Sequence, residues 1–391
     1  MKSKDTVGIA LIGCGWWSQG WHLPHLSQNT SDGVKIIALV DPNPHPRSTL
    51  NPNLRSLEEL SQLYSCPIFS SISDLFQNES ILVQLDGVIV CTPHATHYEI
   101  GREILTHKKP IPIFMEKPMT TDLQHAQQLH NLVLQSKKFS SFSSPPAPFF
   151  INHSANYRPQ VLKAKDLIQK HTIGALRHIT ASFASPLSWL FDDPANIGWN
   201  TPSHNMLGNG FAWGQMSHLL AWIYHVTDLC PKTVFCVMTH SKTSGADVAH
   251  SATITCENEE TTVTMNLSGT CLLPGREHSD EPVGKSISIE VYGEEGSLFY
   301  SGNDGDTNSG VLELRKSEVN SGKPEYILPK QGFLFENLDT EGKGPESLQE
   351  FIKACQGKDY YVGASSLVGL KTVQTIEAMY RSHHKGTVET I

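Results

Sequence analysis

Residues 7–18, VGIALIGCGWWS, constrain this chain more than any other stretch. Val7–Ile12 is a short apolar run rich in β-branched residues, the pattern of a strand buried on both faces. Gly13 and Gly15 follow at once, and a helix is expected to begin at Trp16. The resulting G-x-G-x-x-S is close to the dinucleotide fingerprint G-x-G-x-x-G/A. The first glycine permits the tight turn; the second lets backbone approach a pyrophosphate, which rests on the N–H groups of the helix start. Ser18 departs from the usual Gly or Ala, yet is small enough for close helix–strand packing. Strands followed by glycine turns are common, so the motif takes its weight from a second strand, Val34–Val40, that ends in Asp41. An acid about 20 residues on is suited to bind the adenosine ribose hydroxyls. Asp41 comes somewhat later, which requires a slightly long first helix and loop.

A chain of 391 residues should hold two domains with a sizeable core. Its 39% hydrophobic and 18% charged residues fit a soluble globular protein, and the net charge of −9 argues against nucleic acid or an anionic membrane as the main partner. The eight cysteines show neither a C-x-x-C nor regular spacing, which points to a reducing compartment and a cytoplasmic protein. Cys14 and Cys91, at expected strand ends, read as small buried hydrophobes. MKSKD precedes an apolar run, but Asp5, the two glycines and the lack of an A-x-A site speak against a signal peptide. No apolar run approaches the roughly 18 residues needed to span a bilayer. The 19 histidines form no H-E-x-x-H or H-x-x-E-H, so no metal is expected.

The first half alternates strand and helix patterns. Helices are expected over 57–64 and 98–106, strands over 86–91, 111–115 and 149–155, and a helix ending near Gln135 behind a Thr121–Gln124 capping box. This alternation argues for a parallel doubly wound sheet over residues 1–150. Residues 42–53 form a Pro- and Asn-rich loop, and 139–148 a mobile Ser/Pro loop. Beyond Tyr157 a helix over 161–170 comes first. Segments 177–184, 233–239, 252–256, 262–268, 286–291, 297–300 and 311–315 then alternate apolar and polar residues, as in a half-buried antiparallel sheet. A long helix over 211–226 interrupts them, helices over 346–354 and 364–382 close the chain, and 302–310 and 317–324 read as polar turns. The second domain is accordingly expected over 151–391.

Gly13 and Gly15, Asp41, Thr92 and Pro93, and the EKP of Glu116, Lys117 and Pro118 all fall at carboxyl ends of expected strands. Ligands of open parallel sheets bind there, and the shared placement outweighs any single motif. With these residues the chain resembles the Gfo/Idh/MocA oxidoreductases, the family of glucose–fructose oxidoreductase and inositol dehydrogenase. The resemblance is carried by GCGWWS, the strand ending at Asp41, DGVIVCTPHATH, FMEKPMTTD, NYRP at 156–159, HLLAW from His218 and the closing YRSHHKGTVETI. It covers nearly the whole chain, and EKP with the upstream TP-x-x-x-H is its most specific part. It implies a Rossmann domain followed by an α/β domain on a large open, mostly antiparallel sheet. It also implies a bound nicotinamide cofactor (NAD, or NADP), a small sugar or polyol substrate, and a homo-oligomer joined through the open sheet face.

The same resemblance implies roles. Gly13, Gly15, Trp16, Trp17, Asp41, Thr92, Pro93, His97, Glu116 and Lys117 fall on the cofactor side. Lys117 would sit by the nicotinamide ribose and the reacting hydroxyl, its direction fixed by a cis bond to Pro118; the alternative is a solvated surface lysine. His97 either supports this loop or starts a helix. Arg158 matches the family's substrate-side arginine, or makes a surface ion pair. His218 matches the catalytic histidine, or is structural. The family's Asp four residues earlier is Gly214 here, followed by Gln215, so the Asp–His pair is broken and Gln215 would orient His218 or a substrate hydroxyl. Trp189, Trp199 and Trp213 offer faces to a sugar or pack in the core. Gly214 and Gly210 share the face of His218 at helical spacing, so close packing is expected there, against substrate or nicotinamide, or against the Rossmann domain. Three functions remain open: an NAD(P)-dependent dehydrogenase acting on CH–OH groups, a redox-neutral lyase or glycosidase that keeps its NAD, and a non-catalytic dinucleotide-binding protein. EKP and His218 favour an enzyme; Gly214 favours the last.

Overall fold

A computed structural model of the chain describes residues 4–138, 147–203, 205–258, 261–275, 283–304, 306–316, 325–326, 335 and 342–391. Strand β1 (Val7–Ile12) is buried at every position, as its two-sided apolar pattern requires. It lies between β2 (Val34–Val40) and β4 (Leu85–Val90) in a parallel sheet ordered β3-β2-β1-β4-β5-β6. The short outer strands are β3 (Ile68–Phe69), β5 (Ile113–Met115) and β6 (Phe149–Ile151). Strand order reverses between β1 and β4, the switch point at which such sheets bind ligands. Most connections are helical: Leu57–Tyr64, Ile72–Gln77 with Glu79–Gln84, His97–Leu105 and Leu123–Lys138. The pair 72–84 and strand β3 had no sequence signal strong enough to announce them. The helix from Leu123 is capped by Asp122, whose Oδ1 accepts the His125 N–H at 2.9 Å, rather than by the expected Thr121–Gln124 box.

The described residues of 1–153 and 337–370 form one compact unit, and those of 154–336 and 371–391 another. The late segment joins the first unit through helix Glu346–Cys355, whose Phe351 ring packs 5.3 Å from Phe114 and 5.8 Å from Phe150.

The second unit is built on a sheet that, among the described residues, has nine strands. These are β7 (Leu176–Ala184), β8 (Cys230–His240), β9 (Asp247–Glu257), β10 (Thr262–Thr270), β11 (Ser286–Gly293), β12 (Gly296–Asn303), β13 (Asp306–Lys316), β14 (Glu325–Tyr326) and β15 (Glu389–Thr390), in the order β14-β13-β12-β11-β7-β10-β9-β8-β15. Among the described residues only β7 and β10 of this sheet pair in parallel. Alternation sets the faces: in β10, Val263, Met265 and Leu267 are buried while Thr264, Asn266 and Ser268 face out. Hairpin β12–β13 takes up most of the expected turn at 302–310, because Asn303 pairs directly with Asp306. The expected turn at 317–324 and all but the last two residues of the loop at 139–148 lie outside the described residues. Against the buried face lies helix Ser217–Thr227, every residue of which is buried. It is joined by Pro159–Gln169 and by part of the closing helix, where the Tyr224 and Thr375 hydroxyls meet at 2.7 Å. A helix buried on every face is one enclosed on all sides.

Candidate active site

The glycine turn leaves β1 at its carboxyl end. Gly13 has φ +87°, and a Cβ there would stand 2.4 Å from the Cys91 carbonyl oxygen, so the fold itself demands glycine. Gly15 is different. A Cβ there would meet nothing within 4 Å among the described residues, so the space over this backbone is open. The chain continues as a wide turn, Ser18–His22, in which the Leu23 N–H donates to the Ser18 carbonyl, before helix Leu23–Gln28. Such turns recur at functional sites. Buried Ser18 donates its hydroxyl to the Gly13 carbonyl, a use of the third fingerprint position that Gly or Ala could not supply. Asp41, at the end of β2, accepts the Cys14 N–H on Oδ2 at 2.8 Å and the Asn43 N–H on Oδ1 at 2.9 Å. Its carboxylate is thereby held beside the turn, with lone pairs to spare for two hydroxyls. Gln19 ties the following loop to the turn: its amide N–H donates to the Cys14 and Arg55 carbonyls and its oxygen accepts the Arg55 N–H.

Strands β4 and β5 deliver the rest of this cluster. Buried Glu116 accepts, on one oxygen, the His22 Nε2–H at 2.8 Å, the Asn152 amide at 2.8 Å and the Trp17 Nε1–H at 3.2 Å. Asn152 is steadied in turn by the Ser347 hydroxyl at 2.9 Å. Burial alone would push the Glu116 carboxyl up; the hydrogen bond and charge of His22, the Asn152 amide and the Lys117 ammonium outweigh it and hold it down at about 2. Trp17 stacks on Trp21 at 5.0 Å and meets Trp16 edge-on at 5.2 Å. Lys117 is half-buried, and its bond to Pro118 is cis. His97, 1% exposed, spans the two loops: Nδ1 faces the Pro118 carbonyl at 2.8 Å and Nε2 the Thr92 carbonyl at 3.0 Å. Thr92 and Pro93, at the end of β4, are half-buried and exposed. Burial, and after it the Lys117 charge, holds His153 down at about 3; burial likewise lowers His97. These imidazoles are therefore neutral at pH 7 beside Glu116 and Lys117. Buried Cys14 and half-buried Cys91 are thiols raised well out of the reactive range, by desolvation first.

In the second unit the expected single helix over 211–226 is a wide turn, Ala212–Met216, followed by helix Ser217–Thr227. Three-and-four spacing does not carry across such a turn. Gly210 precedes the helix altogether; its φ is +154°, and a Cβ there would stand 2.5 Å from the Asp247 carbonyl oxygen. A Cβ on Gly214 would stand 2.9 Å from the Phe191 ring and 3.8 Å from Trp199. The close packing expected at both glycines is present, and the atoms an added Cβ would meet belong to this same unit. His218 and Gln215 are 2% and 7% exposed. The Gln215 side-chain oxygen is buried without a hydrogen-bond partner among the described residues, a polar atom left for something else to meet. Trp199 is half-buried beside Gly214, Trp213 is fully buried core, and Trp189 donates Nε1–H to the Pro186 carbonyl at 3.1 Å. Arg158 is buried at the start of helix Pro159–Gln169, its charge reaching Tyr300; it is not a surface ion pair.

A family profile described as "Oxidoreductase family, NAD-binding Rossmann fold" matches residues 7–142, and one described as "GFO/IDH/MocA C-terminal domain" matches residues 161–299. The chain belongs to the Gfo/Idh/MocA oxidoreductase family. Among solved structures it is similar to an oxidoreductase from Sinorhizobium meliloti, with 16% identity, TM-score 0.70, and 99% of this chain and 100% of that one covered. It is also similar to a levoglucosan dehydrogenase in complex with NADH and L-sorbose (15% identity, TM-score 0.69, 99% of each chain). A third is GenD2 from gentamicin A biosynthesis in complex with NAD (16% identity, TM-score 0.66, 100% of this chain and 98% of that one). At these identities the likeness is one of fold. No curated protein sequence matches.

For a Gfo/Idh/MocA chain, several structurally central residues escaped sequence reasoning. His22, Asn152 and Gln19 are polar residues inside or beside apolar elements, and nothing nearby in sequence marks their partners. Asp247 and Tyr380, which meet at the start of the His218 helix, belong to a strand and a helix far along the chain. The one available signal was an acid at the head of an otherwise apolar-alternating strand. Among the described residues no grouping of His, Cys, Asp or Glu could hold a metal ion, and no helix is long and apolar enough to cross a membrane.

Proposed function

We propose that the protein moves a hydride between a nicotinamide cofactor, NAD in preference to NADP, and the carbon bearing a secondary hydroxyl of a small sugar, polyol or related alcohol. One observation carries this reading: adjoining strand ends of a single parallel sheet hold a glycine turn open at Gly15, an acid fixed by two N–H groups, and Lys117 beside a buried anion. Gly13, Gly15 and the Trp16–Trp17 helix start suit the diphosphate, Asp41 the ribose hydroxyls, and Thr92, Pro93, Glu116 and His97 the framing of the nicotinamide side. The Asp41 carboxylate repels a 2′-phosphate, and the nearest Arg on the following loop, exposed Arg47, lies beyond Pro42, Pro44 and Pro46.

When bound, the nicotinamide gives or takes the hydride. Lys117 donates a hydrogen bond to the substrate oxygen and stabilises negative charge gathering on it. His218 takes the hydroxyl proton on oxidation and returns it on reduction, help of a kind that contributes about 10²–10⁴-fold. The unsatisfied oxygen of Gln215 accepts from a further hydroxyl, and Arg158 and Trp199 hold the sugar. Eight free cysteines suit a cytoplasmic protein. We also propose a homo-oligomer joined through the outer face of the nine-stranded sheet, where Phe235 and Val237 lie exposed; light scattering tests it.

The test titrates NAD and NADP against the purified protein, then assays a sugar and polyol panel at the absorbance band of reduced nicotinamide. Tighter NAD binding, with reduced cofactor formed in step with product, is expected. Tighter NADP binding overturns the cofactor assignment. Product without net reduction makes the protein a redox-neutral lyase or glycosidase, and binding without product on any substrate a non-catalytic one.

A further inference from the structure

The helix that carries His218, entered through the wide turn that holds Gln215, has no cap of its own. Phe211, which precedes the first turn, contributes no side-chain hydrogen bond. The group that closes this end is Asp247, the first residue of β9, 35 positions on. Its Oδ2 accepts the Ala212 N–H at 2.8 Å, and its Oδ1 accepts the hydroxyl of Tyr380 from the closing helix. Tyr380 also stacks on Trp213, with centroids 6.1 Å apart, and the Trp213 Nε1–H donates to the Gly208 carbonyl at 3.1 Å. One carboxyl therefore joins a strand, the closing helix and the turn that leads into His218. A carboxylate at this end also meets the positive pole of the helix.

We propose that Asp247, with Tyr380, is a positioning residue: it docks the first turn of this helix and so sets where Gln215 and His218 point. The catalytic half of the proposal rests on the function proposed above; the docking half does not. Docking depends on protonation. Burial pushes the Asp247 carboxyl up to about 6, against the pull of the Tyr380 hydroxyl and the Ala212 N–H. The other titratable groups facing it are the thiols of Cys236, on β8, and Cys271, after β10, each raised by burial and then by its charge. Among the described residues no cation faces it. A carboxyl whose pKa is higher when docked than when solvated favours the docked state once protonated. Docking is therefore firmest below about pH 3.9, the solvated value, and loosens as the pH rises from there through about 6, leaving the helix end held but releasable at neutral pH.

The experiment is amide hydrogen exchange over residues 211–217 of the full chain, corrected for intrinsic rates, in the native protein and in Asp247→Asn, Asp247→Ala and Tyr380→Phe. Asn keeps the shape and the acceptor without the charge. Asp247→Asn should abolish the pH dependence and protect this segment at about pH 8 as well as the native protein does at about pH 4. Asp247→Ala should speed exchange here by about tenfold or more at every pH, as expected for a lost buried acceptor, and leave β1 and β4 unchanged. Tyr380→Phe, which keeps the ring, should move the native midpoint upward by removing a donor to the carboxylate. Turnover should follow: kcat falls about tenfold or more in Asp247→Ala at unchanged KM for NAD, and Asn restores it. Unchanged exchange in Asp247→Ala, or exchange raised uniformly over the second unit, overturns the docking role. Local loosening with native kcat overturns the positioning role. His218→Ala with full turnover would instead remove the proposed base and leave the exchange results standing.

Discussion

Two helices of this protein begin in wide turns, Ser18–His22 in the first unit and Ala212–Met216 in the second, and each is pinned by a buried carboxylate from far along the chain. Glu116 gathers the side chains of Trp17 and His22; Asp247 takes the Ala212 N–H and the Tyr380 hydroxyl. Burial opposes ionisation at both, yet Glu116 is held at about 2 and Asp247 is pushed up to about 6. Their donors differ. Glu116 has three side-chain N–H donors on one oxygen and the charges of His22 and Lys117 nearby, whereas Asp247 has neutral donors alone and, among the described residues, no cation facing it. Burial prevails unless charge answers it. The first helix start thus carries a permanent anion, beside a glycine turn left open at Gly15; the second is closed by a group that titrates within the physiological range.

The largest expected effect tests whether the permanent anion serves chemistry. Lys117→Met, which keeps the apolar stem and removes the charge beside Glu116, should lower turnover by about 100-fold or more while NAD affinity and Tm hold. Near-native activity would return Lys117 to a structural role. The two carboxylates should also give stability profiles of opposite sign. Glu116, at about 2 folded against about 4.3 unfolded, contributes stability in full above about pH 4.3 and loses it as the pH falls through 2. Asp247, at about 6 folded against about 3.9 unfolded, contributes in full below about pH 3.9 and loses it as the pH rises through 6. Each term is on the order of 3 kcal/mol. Thermal unfolding across pH should show Asp247→Asn flattening the decline between about pH 4 and 6 and Glu116→Gln flattening the acid limb; equal effects in one direction would erase the contrast.

Within the glycine turn, Gly13→Ala should cost about 1–3 kcal/mol of stability, because φ is +87° and the added carbon meets the Cys91 carbonyl. Gly15→Ala should leave Tm nearly unchanged and weaken NAD about tenfold by blocking backbone approach. Equal losses of stability would show that the open start is packed after all. The smallest effect is at the closed start. Gly214→Asp should destabilise by about 1–3 kcal/mol against Phe191, without raising activity. A gain in turnover would mean that the missing acid matters to the reaction and that the packing yields.

Both sheets could be read from local pattern. β1 shows as a continuous apolar run, β2 as one broken by exposed Lys35, and β10 as strict alternation, because side-chain period and turn chemistry are set within a few residues. The strand-end cluster of Gly13, Asp41, Thr92 and Glu116 could be read the same way, since parallel topology carries every strand end to one edge. What closes the His218 helix could not. Asp247 and Tyr380 are 133 residues apart and His22 and Glu116 are 94, and no local signal says which buried donor a buried acid will meet. The wide turn at Ala212–Met216 escaped for a related reason. Apolar residues on every face give a helix no period to betray an extra residue in one turn, so the register of Gly214 and His218 was left to packing against Phe191, Trp199 and Asp247. Patterns within reach of one turn or one strand follow from the chain's own chemistry. The protonation of Glu116 and Asp247, and the direction of the helix between Ala212 and His218, follow only from which groups the folded chain brings against them.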